Sequence, residues 1–451
     1  MKRFIALISV LLCVLILLSA CAEQTEPPAA TAGESVTQAE TQAETEPQTE
    51  PVTEPETEPE TEPDTEPQTE PETEQPVIEP EMTLTGFDAS LLKFVSEKTD
   101  GNFVVSPLSF KYALGLALAG ANGETRDQLL AALGGDDRAF DDYIKDFNRF
   151  IEYFGHGSDL MKEDYDRSPD EFPSKPDDAL KVADSVWKYK DLSPLKEDFR
   201  LMSEAFDARL FDFERDTVIE KVNEWTSEKT NGLIKKILSD GYDTSTLSVL
   251  IVNAVYFKDA WQHKFDDAGR GGFTAKDGTA TEKDYIRSDD ITCRYYEDGD
   301  TVLVSVPMRL NVSVTFIMGS ADGFEEKLAK SQKRDVNLII PKIDVETSLS
   351  DGQLCDFLKG LGVTAAFDGG KADFSRMLDD PVYIGGIVQK AKLKLDENGV
   401  ESAASTALAL NSYGIPKTVR FDRPFSFYIH TDKTDVTKLE NVILFEGMIV
   451  R

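Results

Sequence analysis

Positive charge is scarce in this 451-residue chain: 48 Lys and Arg stand against 83 Asp and Glu, a formal net charge of -35. That deficit excludes a bulk electrostatic grip on nucleic acid, which needs clustered cations over the phosphates. It also excludes attachment to anionic lipid through a basic face. Cysteine is equally scarce. Cys13 and Cys21 fall at the very start, leaving Cys293 and Cys355 as one candidate pair, too few for a disulfide framework. Both read as isolated small hydrophobes. Histidine is limited to His156, His263 and His430. His156, Ser158 and Asp159 supply the residue types of acyl transfer, but neighbours in one polar loop do not align as nucleophile, base and orienter. There is no G-x-S-x-G, H-E-x-x-H, Walker-A glycine loop or paired C-x-x-C. The sequence calls for no catalytic residue, no metal and no cofactor.

What is present is unevenly placed. Lys2 and Arg3 precede an uncharged, mostly apolar run from Phe4 to Ala20, the layout of a secretory signal. The alternative, an uncleaved span, needs about 20 residues and finds the run short. The run ends in Leu18-Ser19-Ala20-Cys21, which resembles the lipobox of bacterial lipoproteins. That resemblance implies a diacylglyceryl group on the Cys21 thiol and a protein tied to the bacterial membrane or envelope, facing outward. Two or more acyl chains make such an anchor stable, at roughly 0.8 kcal/mol per buried methylene. Residues 22–82 then hold 19 Asp or Glu, no Lys or Arg, and 11 of the 21 prolines, with Thr-Glu-Pro-x repeating from Thr45 to Glu74. Nothing there can bury an apolar face, so nothing offsets the entropy of folding. The segment reads as a disordered acidic spacer reaching at most ~190 Å in extended polyproline geometry.

Residues 83–451 carry a net -18 and the pattern of one large folded domain. A helix is expected over Phe87 to Lys98 with Asp88 as its cap. Ser106 caps a second, with Pro107 in its first turn. That helix is apolar all round from Tyr112 to Ala119 and should be buried. Further helices are expected at 124–133, 139–153, 194–204, 216–230 and 350–360. Leu247 to Phe257 reads as a strand covered on both faces, with others at 302–307, 312–318, 336–345, 384–395, 425–430 and 442–449. Helices early and strands late argue for an α+β domain with large mixed sheets.

One stretch is neither ordinary core nor ordinary loop. After Glu401 no charge appears until Lys417 and no proline until Pro416. As a strand, Val400, Ser402, Ala404, Thr406, Leu408 and Leu410 share one face, opposite Glu401, Ala403, Ser405, Ala407, Ala409 and Asn411. The first set is small or apolar, able to slip between existing strands.

Several separated motifs point the same way. Asn102-Phe103-Val104-Val105-Ser106-Pro107-Leu108-Ser109, Asn223-Glu224-Trp225 with Lys229-Thr230-Asn231-Gly232-Leu233-Ile234, and Asn253-Ala254-Val255-Tyr256-Phe257-Lys258 followed by Trp261 and Phe265 occur in order. Phe421-Asp422-Arg423-Pro424-Phe425 and Leu444-Phe445-Glu446-Gly447 follow. Over 84–451 the chain strongly resembles a serpin, a serine-protease inhibitor of the suicide type. The resemblance implies the serpin fold, with about eight or nine helices, large sheets and an exposed reactive-centre loop. It implies a monomer whose partner is a target serine protease held in a covalent complex. It places the shutter at Ser106, Ser109, Asn253 and Gln389, and the breach at Trp261. The hinge falls on Glu397, Gly399, Val400, Glu401, Ser402, Ala403, Ala404, Ser405 and Thr406. Counting seventeen residues from Glu397, or eight back from Phe421, sets the scissile bond at Tyr413–Gly414. A tyrosine there suits a chymotrypsin-like pocket; a slip to Ser412 or Leu410 suits elastase-like enzymes.

The chain departs from the family pattern in places. Val400 and Glu401 stand where Thr or Ser and then Glu are usual, Ser402 replaces an alanine, and Gln389 stands at the shutter histidine. Two functional readings follow: a lipid-anchored inhibitor of serine proteases, with room for cysteine-protease cross-reactivity, or a non-inhibitory surface binding protein of the same fold.

Overall fold

The computed structural model describes residues 84–135, 180–257, 259–349, 352–400, 416–432 and 441–451, with scattered helical positions between 142 and 167. All lie in the second of two compact units, Thr73–Arg451. The leader, Cys21, the acidic spacer, His156 and residues 401–415 fall outside the described residues.

The chain opens with α1 (Leu84–Lys98), β1 (Phe103–Val105), α2 (Pro107–Gly120) and α3 (Gly123–Ala132). Ser106 caps α2 as expected: it is extended, and its side chain accepts from the Ser109 N–H, with proline in the first turn. Every residue of α2 is buried, so this helix is the axis of the core. The cap expected at Asp88 is corrected. Helix α1 begins at Leu84, and Asp88 sits inside it, buried, 2.7 Å from the Lys111 ammonium on α2. A lysine in a helix without a wet face needs a counter-charge brought by a neighbour, and Asp88 is that neighbour.

Next come β2 (Leu180–Tyr189), α4 (Glu197–Ala205), β3 (Arg209–Phe213), α5 (Val218–Lys229), β4 (Val249–Phe257) and β5 (Asp259–Ala260). The motif around Asn223 is a staple. Its amide donates to Leu238 O and accepts from the N–H groups of Ile237 and Leu238, while the Thr230 hydroxyl accepts from Ile234. Strands β6 (Asp266–Thr274), β7 (Ala280–Asp298), β8 (Thr301–Pro307) and β9 (Val312–Met318) follow, then α6 (Phe324–Lys330), β10 (Gln332–Pro341), β11 (Ile343–Leu349) and α7 (Gln353–Gly360). The single strand expected over 336–345 is two, broken after Pro341. A short 3-10 helix (Ala365–Phe367) precedes β12 (Ile384–Asp396), β13 (Gly399–Val400), β14 (Lys417–Arg420), β15 (Phe425–Thr431) and β16 (Ile443–Ile449). The described helices with complete bounds number seven α and one 3-10.

The strands form two large mixed sheets. One has nine strands in the order β1-β16-β15-β9-β8-β7-β10-β14, with β6 beside β7. The other has seven, β3-β2-β4-β12-β13-β5, with β11 beside β12. Cys293 and Cys355 are free and buried.

Gly447 shows how tightly the first sheet packs on its flank. It pairs with Val104 on one side and Phe427 on the other. A Cβ here would strike the Phe103 carbonyl and come within 2.6 Å of the Phe427 ring. Gly447→Ala is therefore expected to destabilise the fold by about 1–3 kcal/mol through overpacking, read as a lower urea midpoint; an unchanged midpoint would contradict this packing.

Candidate functional site: a parallel seam and the hinge above it

Two strands at the centre of the seven-stranded sheet run the same way. β4 and β12 pair in parallel at Val249–Ile384, Ile251–Ile387, Val252–Val388, Asn253–Gln389 and Ala254–Lys390. The other edge of β12 is taken by β11, from Gln389–Leu349 to Leu395–Ile343. At its far end β12 meets β13 on the β4 side, where Val400 faces Leu395 and Gly399 faces Asp396. β13 in turn pairs antiparallel with β5, Gly399 opposite Ala260 and Val400 opposite Asp259. Between these two pairings, over 391–394, that edge of β12 has no strand partner among the described residues. The sheet is closed at one end, has a new strand begun at the other, and carries a gap between.

A buried polar cluster fastens the closed end. Gln389 bridges the Ser106 peptide both ways: its Nε2 donates to the Ser106 carbonyl at 2.9 Å and its Oε1 accepts from the Ser106 N–H at 3.3 Å. Glutamine can do this because its amide carries donor and acceptor together. The Ser106 hydroxyl donates to Leu444 O at 2.6 Å. Ser109 donates through Oγ to Asn253 Oδ1. Asn253 Nδ2 donates to Asp184 Oδ1 at 2.6 Å. Ser106, Ser109, Asn253 and Gln389, singled out from the sequence, are thus in one network spanning α2, β4 and β12. Asp184 on β2 belongs to it too and was missed. Its signal in the sequence is an acid within the mostly apolar stretch from Val182 to Trp187. Burial, above all, pushes the Asp184 carboxyl up to about 8, and its Oδ2 has no partner.

The hinge end is held differently. The Trp261 indole N–H donates to Asp396 O at 2.9 Å and its backbone N–H to Asn398 O at 3.3 Å. Its ring packs 5.0 Å from Phe265. Glu397 pairs with Lys342 at 2.8 Å, which holds its carboxyl below the usual range. Gly399 has φ +127, and a Cβ there would strike Asp259 O and lie 2.8 Å from Ala260 Cα. Only glycine lets β13 approach β5 this closely. Val400 is then buried, where its apolar side chain suits the site as Thr or Ser would. Asp259, also missed, accepts from the N–H groups of Ala260 and Leu310 and is pushed up to about 7, chiefly by burial.

The two groups are distinct places on one strand: Gln389 and Asp396 are about 23 Å apart at 3.3 Å per residue. Glu401, Ser402, Ala403, Ala404, Ser405, Thr406, Tyr413 and Gly414 lie outside the described residues. The chain leaves the seven-stranded sheet at Val400 and enters the nine-stranded one at Lys417.

Asp184 makes the network pH-sensitive in a defined direction. Its folded pKa, about 8, exceeds the unfolded value of about 3.9. Folding therefore takes up a proton here, and this contribution to stability declines as pH rises from about 4 towards 8. Asp184→Asn keeps the acceptor and removes the titration. Its melting temperature relative to the parent should climb between pH 5 and pH 8, at up to about 1.4 kcal/mol per pH unit. A constant difference would contradict the assignment.

A family model described as Serpin (serine protease inhibitor) matches residues 82–451. Among curated proteins, the chain is 30% identical over 386 residues to Iris of Ixodes ricinus, covering 79% of this chain and 94% of that one. It is 30% identical over 380 residues to Serpin-ZXA of Oryza sativa subsp. japonica, covering 77% and 90%. Among solved structures, the thermophilic serpin Tengpin in its native state aligns with a TM-score of 0.64 at 25% identity, covering 85% of this chain and 97% of that one. The chain belongs to the serpin family, a family of protease inhibitors that also has non-inhibitory members.

Proposed function

We propose that this serpin inhibits serine proteases as a suicide substrate, displayed outside the cell on a lipid at Cys21 and a spacer of residues 22–82. The observation that carries the reading is the parallel seam. A chain that turns back after β12 runs opposite to both β12 and β4. An arm sliding into the seam would replace one parallel ladder with two antiparallel ones, each slightly more stable per residue. β13 already has that direction and occupies the first position.

The protease serine attacks the carbonyl carbon of Tyr413. The peptide bond breaks, the Gly414 nitrogen takes a proton and leaves, and Tyr413 stays esterified to the protease. The freed arm then extends β13 past Glu401 and Ser402 into the seam, and the shutter network must part to let it through. A dozen inserted residues make a strand about 40 Å long, which carries the attached protease away and distorts its active site before water completes hydrolysis. The native sheet is a kinetic trap released by the cut. Uncharged, mostly small side chains from Ala403 to Ala409 favour passage, and Tyr413 fits a deep apolar primary pocket of the chymotrypsin type.

Mixed with chymotrypsin, the protein should give a detergent-resistant covalent adduct, and the released C-terminal fragment should begin at Gly414 by mass spectrometry. Thr406→Arg, which places a charge on the inward face of the arm, should abolish the adduct while cleavage continues. No adduct with chymotrypsin, elastase or subtilisin would overturn the reading, and a different fragment start would overturn the register.

A further inference from the structure

Away from the seam, three ionisable side chains meet inside the apolar core. Lys111 on α2, Asp88 on α1 and Glu446 on β16 are 2%, 4% and 0% exposed, and β16 packs against both helices. The Lys111 ammonium lies 2.7 and 3.0 Å from the two oxygens of the Asp88 carboxylate. Neither carboxylate oxygen of Glu446 has a hydrogen-bond partner. The mechanism proposed for the seam uses none of the three.

The arrangement carries two costs. Taking two charges out of water is expensive, and a buried ion pair is often no more stable than an apolar replacement of similar volume. A buried polar group left unsatisfied costs about 1–3 kcal/mol, and orphans of this kind call for an explanation. One covalent step removes both. An ammonium and a carboxylate that lose water become an amide, which has no charge and offers one N–H and one C=O. The geometry suits that step. A nitrogen at those distances from both oxygens sits about 3.2 Å from the carboxyl carbon, within the roughly 3–3.5 Å of a near-attack arrangement. Both partners project from helices packed in the core, so they are held together.

We infer that Lys111 and Asp88 join in an intramolecular amide bond, with Glu446 as the proton carrier. A proton passes from Lys111 Nζ to the Asp88 carboxylate, leaving an amine against a neutral carboxyl. Nζ attacks Cγ and the C–N bond forms. Glu446, in its acid form, gives its proton to the carbonyl oxygen and takes one from the nitrogen. It passes that proton to the hydroxyl that departs as water when a Cγ–O bond breaks. The remaining hydroxyl returns its proton to Glu446 and becomes the amide carbonyl. An ammonium and a carboxylate are thus converted to an amide and one water, and nothing is oxidised or reduced. The surroundings favour the neutral forms. Burial, above all, raises the Asp88 carboxyl to about 6, with Lys111 opposing and Glu325 adding. Burial, foremost, also holds Glu446 well above the ordinary range, against the pull of Lys111. The finished amide supplies what Glu446 lacks: its C=O accepts from the carboxyl O–H and its N–H donates to the other oxygen. The bond ties α1, the first described element after the acidic spacer, to the helix at the axis of the core. It does not depend on inhibitory activity.

Peptide mapping by mass spectrometry tests this on the full chain, folded, then denatured and digested. A branched peptide should join the segments that carry Asp88 and Lys111, lighter by one water than their sum. Lys111→Arg keeps the charge but cannot complete the bond in this way, and should give the two segments unlinked. Glu446→Gln keeps the shape but cannot carry the proton. Followed by the same mapping after cell-free synthesis, it should form the bond at least about 100-fold more slowly than the parent. Recovery of the two segments from the folded parent only as separate peptides would overturn the proposal. A branched peptide surviving in Lys111→Arg would overturn the assignment of the bond, and linkage at the parental rate in Glu446→Gln would overturn the role of Glu446.

Discussion

The central constraint is a short parallel ladder. β4 and β12 touch along five residue pairs, from Val249–Ile384 to Ala254–Lys390; the described residues of β4 are buried, while β12 leaves Lys390 and Lys392 half-buried and Lys394 exposed. The fold spends its strongest polar contacts on keeping that ladder shut at one end. Gln389 grips both backbone groups of Ser106, and Ser109, Asn253 and Asp184 extend the grip to β2. At the other end the contacts hold a strand already turned back beside β12. The sheet is therefore asymmetric along one seam: polar and closed below, started and incomplete above.

That asymmetry supplies a direction for the proposed mechanism. A cut arm is tethered next to its own entry point, with Gly399 and Val400 seated and Trp261 fixing the turn they leave from. No search is needed, only propagation, and each residue added makes new ladder hydrogen bonds on both sides. In the proposed mechanism the resistance comes from the Ser106–Gln389–Asn253 network. Its members are neutral apart from Asp184, which burial keeps protonated near neutrality, so parting the cluster does not separate formal charges. Gln389, where the family usually has histidine, removes a group that would titrate in the same region.

Much of this was legible in the chain. The Ser106-Pro107 start of α2, the buried β4 and the later strands follow from capping chemistry and apolar runs. The family motifs picked out Ser106, Ser109, Asn253 and Gln389, which share one hydrogen-bond network. Other features required tertiary knowledge. β2 was hidden because Asp184, Ser185 and Lys188 interrupt its apolar pattern, and the partners that make those residues tolerable, Asn253 and Asp212 among them, come from other strands. β6 is largely exposed and rich in glycine, so no alternation marks it. Asp88 looked like a cap because an acid near a helix start usually is one; its real partner, Lys111, is on another helix. Glu446 read as part of a motif, and nothing local revealed that its side chain is buried.

The proposed mechanism requires strain to be held in the seam and released by one cut. Inserting a dozen residues at about 1 kcal/mol of net hydrogen bonding each, with about 2–4 °C per kcal/mol for a domain of a few hundred residues, amounts to tens of degrees. Calorimetry of intact protein against protein clipped within residues 401–415 measures this directly. The clipped form should melt on the order of 20 °C or more above the intact one. Equal melting temperatures would mean that no strain is stored there, and the account would be contradicted.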